Sequence, residues 1–330
     1  MLLEFDDDQR LWQHTVREVV AKHCPPALVR AVADQGADPE PLWKRYVEHG
    51  WTAMTDQRDA VELTIVHEEL GRACDPTPYL ATTSQFAPLV PRAPAGVAGA
   101  AVFGGITPRR VGAEWVLHGA AEVLDGDRAD LLAVVTGAGV FVVESGQVHS
   151  RRSAIFDPVL HLATVTFDHV RVPADSATGG DVARARASAL TGLAATMVGA
   201  CQRVLDLVVA HVRERRQFDT PLGSFQAVAH KAADMHVAVE RARALTYWAA
   251  LTLAEADERA GLAAVMAKAA AGECQELVFR HGLQLCGAMG YTWENDLQFA
   301  LKRAKAGEML LGGTDEHRAT IARQYRAAAI

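Results

Sequence analysis

LTGLAATMVGACQRVLDLVVAHV, residues 190–212, followed by RERRQFDTPLGSFQ, residues 213–226, is the stretch that decides the fold. Leu190, Leu193, Met197, Cys201, Val204, Val208 and Val212 recur every three or four residues, the spacing of one apolar helix face. Beyond the polar loop, Phe225, Val228, Ala232, Met235, Val239 and Ala242 repeat the pattern. This predicts two long amphipathic helices flanking the loop Arg216–Gly223. A third helix over Leu262–Leu285 and a fourth after Thr314 complete a four-helix bundle domain spanning 179–330.

Upstream the texture changes. Ala101–Phe103, Trp115–Leu117, Leu131–Val135, Val140–Val143 and Thr164–Phe167 are short β-type runs separated by Gly and Asp turn signals. They predict a small antiparallel β domain over 98–178. Residues 1–97 read as helices. Asp6–Asp8 form an acidic cap, Pro25-Pro26 stops the first helix, and a second runs from near Pro39 to Gly50. A third covers Ala60–Gly71, and a shorter one lies around Ala81–Leu89. The fold class is therefore mostly α with a β insert.

The chain has 330 residues, and 33 Lys+Arg against 40 Asp+Glu give a net charge of −7. That balance argues against a nucleic-acid partner, which needs a basic patch or stripe. Five scattered cysteines without a C-x-x-C fit neither a disulfide framework nor a zinc knuckle, so a cytoplasmic location is expected. No basic leader precedes the acidic MLLEFDDDQR, and no uninterrupted apolar run of membrane-spanning length is read, so no membrane partner is expected. No ligand spacing of a metal site is present either, so no metal is expected. Thr136-Gly-Ala-Gly-Val140 leads into a β run and reads as a hairpin turn rather than a dinucleotide loop. His67-Glu68-Glu69 reads as a solvated helix face.

Three segments carry chemistry. Glu214-Arg-Arg-Gln-Phe-Asp-Thr-Pro-Leu-Gly-Ser-Phe-Gln226 places cations and amides near helix ends, which suits phosphate and adenine contacts. Taken alone it reads better as a polar inter-helix loop. Gln284-Leu-Cys-Gly-Ala-Met-Gly-Tyr291 ends a helix on small residues, either a C-cap or a place for close ligand approach. Leu310-Leu-Gly-Gly-Thr-Asp-Glu-His-Arg318 is a glycine turn with Thr314 as an N-cap.

Together and in this order, these segments resemble the acyl-CoA dehydrogenase family, as a short bacterial member of actinobacterial type. Glu69-Leu-Gly-Arg-Ala73, Phe167-Asp-His-Val-Arg-Val-Pro173, Arg215-Arg-Gln-Phe218, Phe225-Gln226, Ala233-Asp-Met235 and Gly287-Ala-Met-Gly-Tyr-Thr-Trp-Glu294 carry the likeness. The resemblance implies a helical domain, a β domain and a C-terminal helical domain. It also implies FAD-dependent α,β-dehydrogenation of an acyl-CoA, with electron-transfer flavoprotein as acceptor. Arg215, Phe218, Gln226, Gln284, Gly287 and Ala288 match positions that hold the ADP half of FAD across a subunit interface. Thr314 and Glu316 match cofactor-proximal positions.

The flavin half departs from the family pattern. Gly104-Gly-Ile-Thr-Pro-Arg-Arg110 stands where the family has a Glu-Pro-x-x-Gly-Ser-Asp type loop, and Val123-Leu124-Asp125 replaces a flavin-lining Trp-Ile-Thr. Asp125 is expected to bring a carboxylate towards the ring. The two positions that the family uses for its catalytic glutamate are Gly312 and Ala189. The resemblance thus implies a non-catalytic subunit that completes the FAD site of a longer paralogue in a heterotetramer of lipid metabolism. Gly290-Tyr-Thr-Trp-Glu-Asn-Asp296 is similar to steroid-degrading members, which suggests a steroid or branched acyl group. Two alternatives stand beside it, an active homo-oligomer with another base such as Glu316, and a scaffold without FAD.

Overall fold

The computed structural model describes residues 4–173 and 175–329. Residues 1–3, 174 and 330, which the expected domains include, lie outside the description. The chain opens with α1 (Asp7–His23), α2 (Pro26–Gln35), α3 (Glu40–Glu48) and α4 (Ala60–Ala73). Asp6 caps α1 by a reciprocal capping box with Gln9. The Pro25-Pro26 pair stops α1 as expected, but it also starts α2. Pro26 is the first helical residue there, where its missing N–H costs nothing. A π-helical turn at Ala81–Phe86 follows.

The β domain holds β1 (Gly99–Val102), β2 (Ile106–Val111), β3 (Glu114–Leu124), β4 (Leu131–Thr136), β5 (Gly139–Glu144), β6 (His149–Arg152) and β7 (Leu162–Pro173). They form two sheets, β1-β4-β5 and β2-β3-β7-β6. All pairings are antiparallel except β1 with β4. Thr136 and Gly139 close the β4–β5 hairpin, as its glycines predict. Strands β2 and β6 are missing from the sequence reading because their faces are largely exposed and polar.

The last part contains α5 (Val182–Glu214), α6 (Gln226–Ala254), α7 (Ala260–Cys286), α8 (Leu297–Met309) and α9 (Thr314–Ala329), one helix more than expected. The extra helix, α8, escapes a periodicity reading because its buried face includes Arg303. Helix α5 is long and apolar enough, by length and composition, to cross a membrane, although Arg184, Arg186, Arg203 and Asp206 interrupt its apolar run. Its apolar surface is instead packed by α4, α6, α7 and α8, and it forms the axis of the main core. The five cysteines are free and buried.

Two features join the parts. Gly71 on α4 backs onto the Thr196 backbone of α5, and Gly199 on α5 backs onto the Glu68 backbone of α4. A Cβ on either glycine would overlap main chain, so the Glu69–Ala73 signature marks a close helix crossing. The second feature is Arg303, 3% exposed, which donates to Asp157 of the β domain at 2.6 Å and to the Asp75 carbonyl at 2.9 Å. One guanidinium thereby ties the three parts of the chain together.

His67, Glu68 and Glu69 are buried, which corrects the solvated-face expectation. Arg243 and the Tyr247 hydroxyl donate to Glu68 at 2.9 Å each, and Arg17 forks onto Glu69 at 2.6 and 3.0 Å. The cationic partners lie at distant positions in the chain, so the local sequence shows three polar residues and no reason to bury them.

Candidate active site

A cleft of about 450 Å³ opens between the β domain and the helical parts. Its walls come from Gln85 of the π-helical turn, Ala101 and Phe103 near β1, Ala120–Leu124 of β3, and the turn Met309–Leu311. The Gly104-Gly105 segment lines it too, which is where sequence reasoning places a cofactor loop. Gly105 has φ +79°, and a Cβ there would lie 2.5 Å from the Ala120 carbonyl oxygen. Glycine is therefore required for this loop to lie flat on β3.

Val123 and Leu124 are buried, and Leu124 forms part of the wall. Asp125 is not aimed into the cleft, which corrects the expectation of a repelling carboxylate. It is 1% exposed and paired with Arg128, which also donates to the Pro76 carbonyl at 2.6 Å. Burial raises the Asp125 carboxyl above its ordinary value, and Arg128 opposes that shift. Sequence position alone misplaces this side chain because Asp125 has φ +56°, a local reversal that no spacing rule shows.

Gln85 is a site residue that the sequence reading missed. It is buried at the cleft wall, and its amide makes no hydrogen bond among the described residues. Glu122, at the same wall, accepts from the Thr164 hydroxyl at 2.5 Å. The cleft size falls within the range of small-molecule sites, roughly 300–1,000 Å³. Largely apolar walls, with the Gln85 amide and the Glu122 carboxylate as their polar groups, would fit a flat aromatic ring system such as a flavin.

The eight expected cofactor residues fall into two groups. Arg215, Phe218, Gln226, Gln284, Gly287 and Ala288 converge where α5 ends, α6 begins and α7 ends, and all six are exposed. A two-residue hairpin, β8 (Arg216–Gln217) and β9 (Thr220–Pro221), turns through Phe218 and Asp219 with φ +53° and +61°. That turn leaves the Phe218 ring 87% exposed. The Arg215 guanidinium makes no hydrogen bond or ion pair among the described residues. The first turn of α6 has no side-chain cap, and among the described residues the Gln226 and Ala227 N–H groups have no partner, which leaves them free for an anion. Lys231, absent from the sequence reading, donates to the Gln284 amide oxygen and adds a second cation at this end.

Thr314 and Glu316 lie elsewhere. Thr314 packs on Gly272 of α7. Gly272 and Cys286 are 14 residues apart, about 21 Å along the helix at its usual rise. Helix α9 begins at Thr314 itself, whose hydroxyl meets the Glu308 carboxylate at 3.3 Å rather than capping α9. Lys268, fully enclosed, donates to the carbonyls of Glu308 and Gly312 at 3.0 and 3.1 Å. Burial pushes its ammonium down to about 8. His317 contacts the same Gly312 carbonyl at 3.1 Å.

Neither of the two expected base positions carries a carboxylate. Gly312 has φ +100°, a conformation that side chains rarely adopt. A Cβ there would lie 3.1 Å from Glu316 Oε2 and 3.2 Å from His317 Nε2. Ala189 is fully buried in α5. A cavity of about 340 Å³ between α1, α2, α4, α5 and α8, and hollows of about 380 and 320 Å³ along α5 and α6, are lined by none of the expected site residues.

Residues 6–92 match the N-terminal domain of acyl-CoA dehydrogenases, and residues 187–325 match their C-terminal domain. The chain belongs to the acyl-CoA dehydrogenase family. Members of this family are FAD flavoproteins with oxidoreductase activity. The β domain lies between the two matches and outside both. This family member is 30% identical over 325 residues to the acyl-CoA dehydrogenase IpdE2 of Mycolicibacterium smegmatis, covering 93% of this chain and 95% of that one. Its fold matches a chain of the ChsE4-ChsE5 complex from Mycobacterium tuberculosis with a TM-score of 0.89 at 22% identity, covering 99% of each chain. It also matches the Tcur3481-Tcur3483 steroid ACAD, G363A variant, with a TM-score of 0.87 at 23% identity, covering 98% of this chain and 99% of that one.

Proposed function

We propose that this chain is a non-catalytic subunit of a heteromeric, FAD-dependent acyl-CoA dehydrogenase acting on a steroid or branched acyl-CoA in the cytoplasm. The carrying observation is the contrast between its two sites. The anion-ready end of α5, α6 and α7 is intact and exposed. The turn that should present the base carries Gly312 at φ +100°. Complexes named as pairs among the structural neighbours support the heteromeric reading.

Bound FAD supplies hydride acceptance from the acyl β-carbon. The residues of this chain bind and orient. Arg215 and the free N–H groups of α6 neutralise the pyrophosphate of a cofactor seated mainly in the partner. A charge-assisted hydrogen bond of this kind contributes about 1.5–3 kcal/mol. Lys231 orients the Gln284 amide, and the exposed Phe218 ring would be available to the adenine. The longer paralogue provides the base, and electron-transfer flavoprotein takes the electrons. Without a base this chain's own cleft would lose roughly 10²–10⁴-fold in rate.

Co-expression with a candidate paralogue tests this. Flavin absorbance and acyl-CoA oxidation are expected only in the co-purified complex. Arg215→Ala is expected to lower flavin content by about tenfold or more, the equivalent of roughly 1.4 kcal/mol. A yellow, active protein obtained from this chain alone overturns the proposal. That outcome favours a second reading, in which Glu316 serves as the base of a homo-oligomer. Its Oε2 already sits 3.1 Å from the point where a Gly312 side chain would start. Glu316→Gln would then abolish turnover. Absence of flavin with every partner points instead to a scaffold.

A further inference from the structure

We propose that the β domain carries a surface site for a divalent transition-metal ion of the zinc class, held by His118, Asp168 and His169. These residues lie outside the interdomain cleft and outside the cofactor end of the helices. Their juxtaposition comes from an irregularity in the β3–β7 ladder. Leu117 pairs with Val170, and Gly119 pairs with Phe167. One residue of β3, His118, therefore faces two of β7, Asp168 and His169. This two-against-one arrangement is a β-bulge, a device that re-aims side chains. His169 takes φ +56°, the left-handed region that is uncommon for any residue other than glycine.

The geometry suits a small ion. The candidate ligand atoms of all three residues lie within 4.8 Å of one another. The point nearest to all three is then at most about 2.8 Å from each, since 4.8/√3 ≈ 2.8. Zinc–nitrogen bonds are about 2.0–2.1 Å. Closing the remaining gap takes small rotations of exposed side chains, with β3 paired to β2 through this stretch by Thr107 opposite His118. The two imidazole rings already face each other with centroids 4.5 Å apart and planes 33° apart. Asp168 Oδ1 lies 2.8 Å from His169 Nδ1.

The donor set selects the ion. Two imidazoles and one carboxylate suit Zn²⁺, Co²⁺, Ni²⁺ or Cu²⁺, whereas Mg²⁺ and Ca²⁺ prefer all-oxygen shells. Because all three residues are exposed, water would complete the shell. Bound metal would also staple β3 to β7 at the bulge, where the ladder bonds are interrupted. No short ligand motif signals this, because 50 residues separate His118 from Asp168.

The test is a Zn²⁺ titration of the untagged full-length chain by calorimetry, with Co²⁺ absorption as a second readout. One ion per chain is expected, together with a rise in melting temperature. His118→Ala and Asp168→Asn should each weaken binding at least tenfold. His169→Asn should do the same while keeping the left-handed backbone, which Asn tolerates. No saturable binding below about 1 mM overturns the proposal. So does equal weakening by His236→Ala, an exposed control histidine beside Glu240. So, too, do unchanged affinity and Co²⁺ spectrum in His118→Ala.

Discussion

At the scale of single residues, His67 shows how burial sets chemistry. Thr83 spends its hydroxyl proton on the Tyr79 carbonyl at 2.8 Å, so His67 Nε2 at 3.2 Å is the donor to Thr83 Oγ1. Burial alone pushes His67 down to about 3. The unfolded chain takes up this proton near pH 6.5, and the folded chain does not, so stability falls as pH drops through that window. Between pH 6.5 and 5 the loss from His67 is on the order of 2 kcal/mol. Asp75 acts in the opposite sense. Burial raises it to about 6, so its contribution is full below its unfolded value and fades as pH rises through 6. His67→Gln is expected to remove the His67 part while keeping a donor to Thr83. Urea unfolding at pH 7 and pH 5 should show a smaller acid loss in the variant by about 2 kcal/mol. An identical pH slope in both proteins would count against this assignment. The same scale bears on Gly312, where the backbone angle of φ +100° would strain any side chain.

At the scale of elements, the α4–α5 crossing is held by reciprocal glycines rather than by interlocking large side chains. Helix α4 brings Gly71 to the Thr196 backbone, and α5 brings Gly199 to the Glu68 backbone, with the Arg72 nitrogen 2.8 Å from a would-be Cβ. The approach also places Glu68 where Arg243 and Tyr247 of α6 reach it. Gly199→Ala would have to force the helices apart and loosen that network. Its expected cost is about 3 kcal/mol, at the upper end for overpacking. A control at exposed Gly261, where nothing lies within 4 Å, should be neutral or slightly stabilising. Thermal or urea unfolding of the pair checks it, and equal behaviour of the two variants would remove the crossing argument.

At the scale of the molecule, Arg303 decides whether three parts act as one. It is paired with fully buried Asp157 and bonded to the carbonyls of Cys74 and Asp75. Removing one partner of a buried pair strands the other charge, at about 3–5 kcal/mol. Arg303→Ala should therefore lower the urea midpoint strongly. A double apolar replacement, Arg303→Met with Asp157→Leu, should recover much of the loss, because it strands no charge. Failure of that recovery would mean that the carbonyl contacts, rather than the ion pair, hold the parts together.

By itself the sequence determines the helical bundle, the β insert, the hairpin at Thr136–Gly139 and the family, because each rests on local periodicity, turn chemistry or contiguous motifs. The convergence of Arg215, Gln226 and Gln284 was legible for the same reason, since those residues sit at the ends of readable helices. Tertiary structure alone decided the rest. It buried His67-Glu68-Glu69 against cations from distant helices, turned Asp125 away from the cleft onto Arg128, and added Gln85 and Lys231 to the sites. It also set His118 against Asp168 and His169 through a bulge in the ladder. In each case the deciding partner is remote in the chain or the deciding variable is a backbone angle. Neither leaves a periodic trace in the residues themselves.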